Sequence, residues 1–432
     1  MQRILKPLGS LGMMLLGLLL LPIRLIANFG LIKDFFSGLF SGVGFVSLNE
    51  KNQRQRLTFR QLLTTPSLQT RQNVKKEVSA LIEAGNWLAL STKIVEWDQS
   101  RSKCEAGFPL AHTAMTTAIQ FIARGVYEGH ICHPGPIYDI SDEVADMLET
   151  KAAIHSDSYA LLALAAAARC YQGWCDRGDD YAEYVSDDGW FGTSARFAKA
   201  RWLLDRFDPV ALDAPLLAAT QHKLLAFMPD AEKHVYRYYE EWSALDPYDQ
   251  TPHTAHGQMM LLRWFGDQTT LEVEARKAAQ ATSQQTGDAA YFSIYASAFE
   301  AWDPNVFNID LDVFEQGAHD LITLRGGDPA FVAQLHQQMS WWANKADYRE
   351  ATKHIQDQAT TVRSGIKELR DEILRTRLTA IHGHSWEGGV RGAIDEISAL
   401  VQAEIEEGHA TFALTESGLV VTPGMEAAPR PA

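Results

Sequence analysis

Ser158-Tyr159-Ala160-Leu161-Leu162-Ala163-Leu164-Ala165-Ala166-Ala167-Ala168-Arg169-Cys170-Tyr171-Gln172-Gly173-Trp174 decides the fold class. Wound as an α-helix, this stretch is apolar around most of its circumference, so it needs cover on every side and belongs in the middle of a packed helical array. On its upstream side, Val74 to Ile82 and Gly85 to Leu90 spell a helix, a short glycine turn and a second helix. Downstream, periodicity predicts helices over 193–206, 211–227, 229–244, 251–264, 269–285, 288–302, 311–324, 328–343, 347–381 and 391–407. Asp-Pro pairs at 208–209, 246–247, 303–304 and 328–329 punctuate these segments. Proline there cannot continue one helix but can start the next. Only Thr411 to Val421 reads as strand, with Gly418 at its turn. The expected class is therefore all-α, as stacked antiparallel helical hairpins behind an N-terminal apolar segment.

The chain of 432 residues is 46% hydrophobic and 22% charged, far too apolar for a disordered polymer. Its net charge of −15 excludes a general polyanion binder, so no nucleic-acid partner is expected. The charge is polarised: residues 1–76 hold eleven basic side chains against Asp34 and Glu50, while the remainder holds 28 basic and 52 acidic ones. Within that head, Leu11 to Ile23 and Phe35 to Leu48 are apolar apart from glycines, serines and Pro22. A signal peptide would need a small-x-small cleavage site, and none follows. A spanning helix would have to tolerate Arg24 and Pro22, whereas a helix lying in the headgroup layer would accept both. Seven positive charges from Lys51 to Lys76, with no acid among them before Glu77, would be drawn to an anionic cytoplasmic leaflet. The expectation is a body at the cytoplasmic face of an inner membrane. Cys104, Cys132, Cys170 and Cys175 do not form a disulfide framework. The expected division is a membrane-associating segment 1–48, a basic linker 49–71, a helical-hairpin repeat domain 72–345, C-terminal helices 346–409, and a strand-like segment with a disordered tail 410–432.

Tyr238 to Pro247 followed by Ala255 to Leu262 resembles tetratricopeptide-like hairpins, although the Asp-Pro spacing is not a clean 34-residue repeat. Trp174 to Trp190, with Arg263-Trp264-Phe265-Gly266 and Leu271 to Arg276 downstream, resembles a family of uncharacterised bacterial tetratricopeptide-like proteins across about residues 160–303. That resemblance implies a helical scaffold and no particular activity. The segment 173–192 reads as an acidic loop between helices, holding Asp176, Asp179, Asp180, Glu183, Asp187 and Asp188. Trp174, Tyr181, Tyr184 and Trp190, with Arg177 as a directional donor and Trp264 beyond, are candidate partner-binding residues. Packing offers the plainer role for the same rings, clamping the loop on its neighbours.

The chemistries of common enzymes find no matching residues. His130-Ile131-Cys132-His133 near Asp139 could offer zinc ligands but has no second pair. His253 and His256, three apart, and His382-Gly383-His384 make no His-Glu-x-x-His, and read instead as capping or core histidines. Phosphate-loop, dinucleotide and nucleophile-elbow motifs are missing, and the acid spacing does not follow an EF-hand. No catalytic residue, metal or cofactor is expected. Val362, Ile366, Leu369, Ile373 and Ala380 form a heptad-like seam within 348–381 that could join two copies of the chain or pack on its own body. The expected function is a non-enzymatic interaction scaffold, membrane-associated, taking a protein or peptide in an aromatic-lined groove. A helical hydrolase acting on glycans and an oligomeric structural subunit are the alternatives.

Overall fold

The computed structural model describes residues 43–48, 56–123, 140–178, 182–267, 269–301, 304–345, 353–407 and 411–422. Most of the segment 1–48 expected to associate with a membrane, the His130 to Asp139 cluster, Tyr181 and the tail 423–432 lie outside them. Sixteen α-helices and one small sheet make the described chain mostly helical, as the apolar periodicity requires. Among the described residues, no helix is long and apolar enough to cross a membrane.

The chain forms two compact units. The larger comprises Thr64–Phe331 and Gln338–Arg370. It opens with α1 (Pro66–Glu83), capped by the Thr65 hydroxyl, which accepts from the Leu68 N–H. Gly85 turns the chain at φ +64 and the Asn86 side chain caps α2 (Trp87–Gln99). Next come α3 (Leu110–Ile122), α4 (Asp142–Ile154) and α5 (Tyr159–Arg177). Helix α5 is the apolar rod of the sequence, and every residue from Tyr159 to Cys170 is buried. It packs on α4, α2 and α6 (Asp187–Leu204). Arg169, the one charge in that run, is matched by Glu149 at 2.6 Å and by Asp146 from α4.

Beyond α6 follow α7 (Pro215–Lys223), α8 (Val235–Leu245), α9 (Thr251–Met259), α10 (Thr270–Thr286), α11 (Ala289–Ala301) and α12 (Leu311–Leu324). Helices α9 and α11 cross so closely that a Cβ at Gly257 would collide with the Ile294 carbonyl. Only glycine fits that crossing. Two long helices, α13 (Pro329–Lys345) and α14 (Lys353–Arg377), contribute residues to both units. In α14 the heptad seam is spent inside the single chain: Val362, Ile366, Leu369 and Ile373 are all buried.

The smaller unit comprises residues up to Leu63, Val332–Gln337 and residues from Asp371 onward. It carries a correction to the sequence reading, which found no strands before residue 410. Strand β1 (Val43–Ser47) pairs antiparallel with β2 (Arg56–Leu62). The short β3 (Ile381–His382) runs parallel to the end of β2. Strand β2 also pairs in parallel with β4 (Thr411–Thr415), which turns into β5 (Gly418–Thr422). The expected strand-like segment is thus one hairpin of a five-stranded sheet. In β2 the residues alternate, Leu57 and Phe59 buried and Arg56 and Arg60 exposed. A half-buried strand produces that pattern, but its arginines had given the segment the look of a basic linker. Two short helices, α15 (Gly389–Leu400) and α16 (Gln402–Glu406), complete the unit.

Candidate functional site

In α8, Val235, Tyr239 and Trp242 point inward, while Tyr236 and Glu240, one turn apart, face solvent. Helix α10 starts where the exposed Asp267 carboxylate accepts from the Thr269 and Thr270 N–H groups at 2.8 and 2.9 Å. Those backbone bonds, with help from the two hydroxyls, hold Asp267 down to about 2. From there Thr270, Val273, Glu274 and Lys277 follow one another along one stripe of α10, while Leu271, Ala275 and Ala278 pack inward. The two stripes line an open cleft of ≈ 400 Å³ formed by Tyr236, Glu240, Thr269, Thr270, Val273, Glu274 and Lys277.

Glu274 joins this cleft to the interior. Its Oε1 accepts from Lys277 Nζ at 2.6 Å and its Oε2 from His256 Nε2 at 3.2 Å. Burial pushes the Glu274 carboxyl upward, but these two partners outweigh it and hold the group below its ordinary value. His256 is fully buried, and its ring stacks on Tyr239 with centroids 3.9 Å apart. The Tyr239 hydroxyl shares a 2.8 Å hydrogen bond with His253 Nδ1. Burial depresses both histidines, outweighing the Glu274 bond at His256 and taking His253 to about 4. His222 on α7 lies against Trp242 and is depressed to about 3, first by burial and then by His256 and Lys223. His112 on α3 lies 6.3 Å from the same Trp242 ring and is likewise lowered by burial. These imidazoles are neutral at pH 7. They line no wall of the cleft, so the carboxylates and lysine on its surface, with Tyr236, set what it can bind.

The interior beneath α8 and α9 is polar and incompletely paired. Among the described residues, His222 Nε2, Trp242 Nε1, Gln250 Nε2, His253 Nε2 and His256 Nδ1 are buried without a hydrogen-bond partner. No group of three or more His, Cys, Asp or Glu among the described residues is placed to hold a metal ion.

The candidates read from sequence fall into different places. Trp174, Arg177 and Trp190 come together: the Arg177 guanidinium lies 5.9 Å from the Trp174 ring and 5.6 Å from the Trp190 ring. Trp174 meets Phe197 and Phe227 edge-on at 6.0 and 5.3 Å, and Trp190 meets Phe227 at 6.1 Å. Both tryptophans are half-buried in this cluster of rings. Tyr184 stands 68% exposed in a single helical turn, and Trp264 packs on Phe265 in the turn after α9. The acidic stretch is shorter as a loop than its sequence suggests. Helix α6 begins at Asp187, six residues before the predicted start at 193, because the Ser186 side chain accepts from Gly189 N–H and Asp187 and Asp188 complement the helix dipole.

The α8–α10 cleft went unnoticed in the sequence. Tyr236 and Glu240 one turn apart are an unremarkable helix surface, and nothing local ties them to Glu274. No protein-family model, curated protein or solved structure matches this chain.

Proposed function

We propose that the protein is a non-enzymatic docking scaffold that takes a basic peptide segment of a partner protein in the cleft between α8 and α10. The observation that carries this reading is the pairing, on one open wall, of the 40% exposed Tyr236 ring with the exposed Glu240 carboxylate. A lysine or arginine side chain suits both, its charge over the ring face and its donors on the carboxylate. Val273, 48% exposed, supplies an apolar floor beside them. Glu274 is already occupied by His256 and Lys277, so it fixes the wall and leaves Glu240 as the docking charge. The net charge of −15 favours the encounter with a cationic partner. Packing of successive helices, α5 on α6 and α8 on both α7 and α9, supports a tetratricopeptide-like arrangement of the larger unit. The Trp174, Arg177 and Trp190 cluster is a second contact surface of the same scaffold in this proposal. Retention at the cytoplasmic face of a membrane through 1–48 belongs to the proposal as well and rests on the sequence alone.

Fluorescence anisotropy with labelled octa-arginine and octa-glutamate peptides tests the cleft. Octa-arginine is expected to bind, octa-glutamate not, and Glu240→Gln is expected to weaken binding about fivefold, on the order of 1 kcal/mol for one exposed charge-assisted contact. Equal binding of both peptides, or an unchanged affinity in Glu240→Gln, would remove the assignment.

A further inference from the structure

Arg325 closes α12 as its C-cap residue and is 6% exposed. A buried guanidinium normally sits against a carboxylate, because an unpaired charge in the interior is costly. Arg325 has none within ion-pair distance among the described residues. Its guanidinium is stacked 4.0 Å from the Phe108 ring centroid and 5.8 Å from that of Phe331. Nη1 donates to the Ala106 carbonyl at 2.9 Å, and Nε is buried without a partner. A second guanidinium meets the same ring: Arg71 of α1 lies 5.2 Å from the Phe108 centroid, and its Nε is also buried and unpartnered.

The loop between α2 and α3 is shaped around this pair of cations. Cys104 N–H donates to the Phe108 carbonyl and Gly107 N–H to the Cys104 carbonyl, closing a tight turn. Gly107 adopts φ +71 there, and a Cβ on it would press on Arg325 Nη1 at 3.3 Å. Backbone therefore wraps one side of the guanidinium and a phenylalanine covers its face. Glu105 in this turn and Asp249, whose charge acts on Arg325, both accept hydrogen bonds from other residues. Glu105 Oε1 accepts from the Thr70 hydroxyl at 3.0 Å, and Asp249 Oδ1 accepts from the N–H and hydroxyl of Thr251. The carbonyl end of α12 offsets only part of one positive charge. Burial lowers the pKa of Arg325, with Arg71 adding to the effect and Asp249 opposing it. Two cations with orphaned N–H groups on one aromatic ring thus lack the counter-charge that such a site needs.

We infer that Arg71 and Arg325, both lying against the Phe108 ring, form a binding site for a small oxyanion, a phosphate group by preference. Guanidinium donors match the geometry of phosphate oxygens, and two of them on one ion outbid a single monovalent carboxylate. The enclosure by Phe108, Phe331 and the 104–107 turn limits the occupant to a free ion or the terminal group of a phosphomonoester. This site is independent of the α8–α10 cleft, and its occupant would brace the joint between α1, the 104–107 turn and the end of α12.

Thermal unfolding of the full chain in sodium phosphate and in sodium chloride at matched ionic strength, followed by calorimetric titration with inorganic phosphate, tests the site. Phosphate is expected to raise the midpoint by several degrees over chloride, and Arg71→Gln, at a half-buried position, is expected to abolish that difference while leaving the chloride midpoint close to wild type. Glycerol 3-phosphate in a parallel arm separates the two sources. Saturation at lower concentration than inorganic phosphate identifies a monoester as the occupant, and the reverse identifies the free ion. Equal midpoints in phosphate and chloride, or a phosphate response that survives Arg71→Gln, would overturn the inference. Should Arg71→Gln unfold, Arg71→Lys serves, since it keeps the charge and loses the fork; it is expected to weaken phosphate binding at least tenfold, and unchanged affinity would again overturn the inference.

Discussion

The larger unit has two interiors built on opposite principles. Around α5, from Ala160 to Ala168, every side chain is an alanine or a leucine, and nothing titrates. Between α7, α8 and α9 the buried side chains include His222, His253, His256, Tyr239, Trp242 and Gln250. Both are sealed from water. The run from Ala160 to Ala168 owes its stability to area and close packing, so it depends on volume and carries no pH dependence of its own. The second keeps neutral imidazoles in place only while the surrounding water leaves them neutral, so its stability is conditional. A helical array needs only the first kind of interior to stand.

The largest effect separating the two should come from charge placed in the dry one. Leu164→Asp puts a carboxylate among alanines with no donor to meet it, and should cost at least about 4 kcal/mol, enough to unfold the larger unit in most settings. Urea unfolding followed by circular dichroism reads this directly, and a fold that tolerated the change would show that the α5 environment is wetter than described.

Acid should select the other interior. His222 at about 3 and His253 at about 4 lie below the 6.5 of an exposed imidazole, chiefly through burial. Above pH 6.5 neither state of the chain is protonated and their contribution is intact. As pH falls below 6.5 the unfolded chain takes up protons that the fold refuses, and stability is lost until the folded values are reached. At pH 5 this amounts to about 2 kcal/mol per histidine. Asp98 acts in the opposite sense. Burial raises it to about 6 against the bonds from Tyr159 and Leu216, so the fold regains about 1 kcal/mol between pH 6 and 5. From these three groups the net is a loss of roughly 2 to 3 kcal/mol from pH 7 to 5, and His256 and His112, also lowered by burial, add in the same direction. Urea midpoints at the two pH values check it, and His222→Leu should remove about 2 kcal/mol of the difference. A midpoint that did not move with pH would contradict the assignment of neutral buried imidazoles.

The smallest expected effect is the most local. Tyr239→Phe keeps the ring stacked on His256 but deletes the hydroxyl shared with His253, and should cost about 1 kcal/mol at pH 7. A loss several times larger would mean that the hydroxyl organises the whole polar layer.

The dry interior was legible in the sequence and the polar one was not. Residues 158–174 announce a buried helix by composition alone, and the predicted 311–324 helix coincides with α12, because apolar periodicity is a local property. The i, i+3 spacing of His253 and His256 did put both on one face of a helix, and core histidines were one of the readings it allowed. What the spacing cannot carry is the company those residues keep. Tyr239, Glu274 and His222 arrive from three other helices, and their convergence is a tertiary fact. The missed strand β2 is a different case. Arg56, Leu57, Thr58, Phe59 and Arg60 alternate, but over five residues that period is a weaker signal than the charge of a basic stretch running to Lys76. The Trp174 and Trp190 cluster was visible as an unusual local density of rings, whereas Tyr236 and Glu240 gave no signal until α10 was placed beside them.

The pairing of β2 with β4 has a consequence for how the protein comes into being. Leu57 lies alongside Phe412, so one edge of β2 is completed by a segment that leaves the ribosome only after every helix of the larger unit. The helices of the larger unit are built from contacts closer in sequence and can assemble during translation, while β2 waits with an edge exposed. A nascent chain arrested before residue 411 would present that edge to chaperones or to other chains.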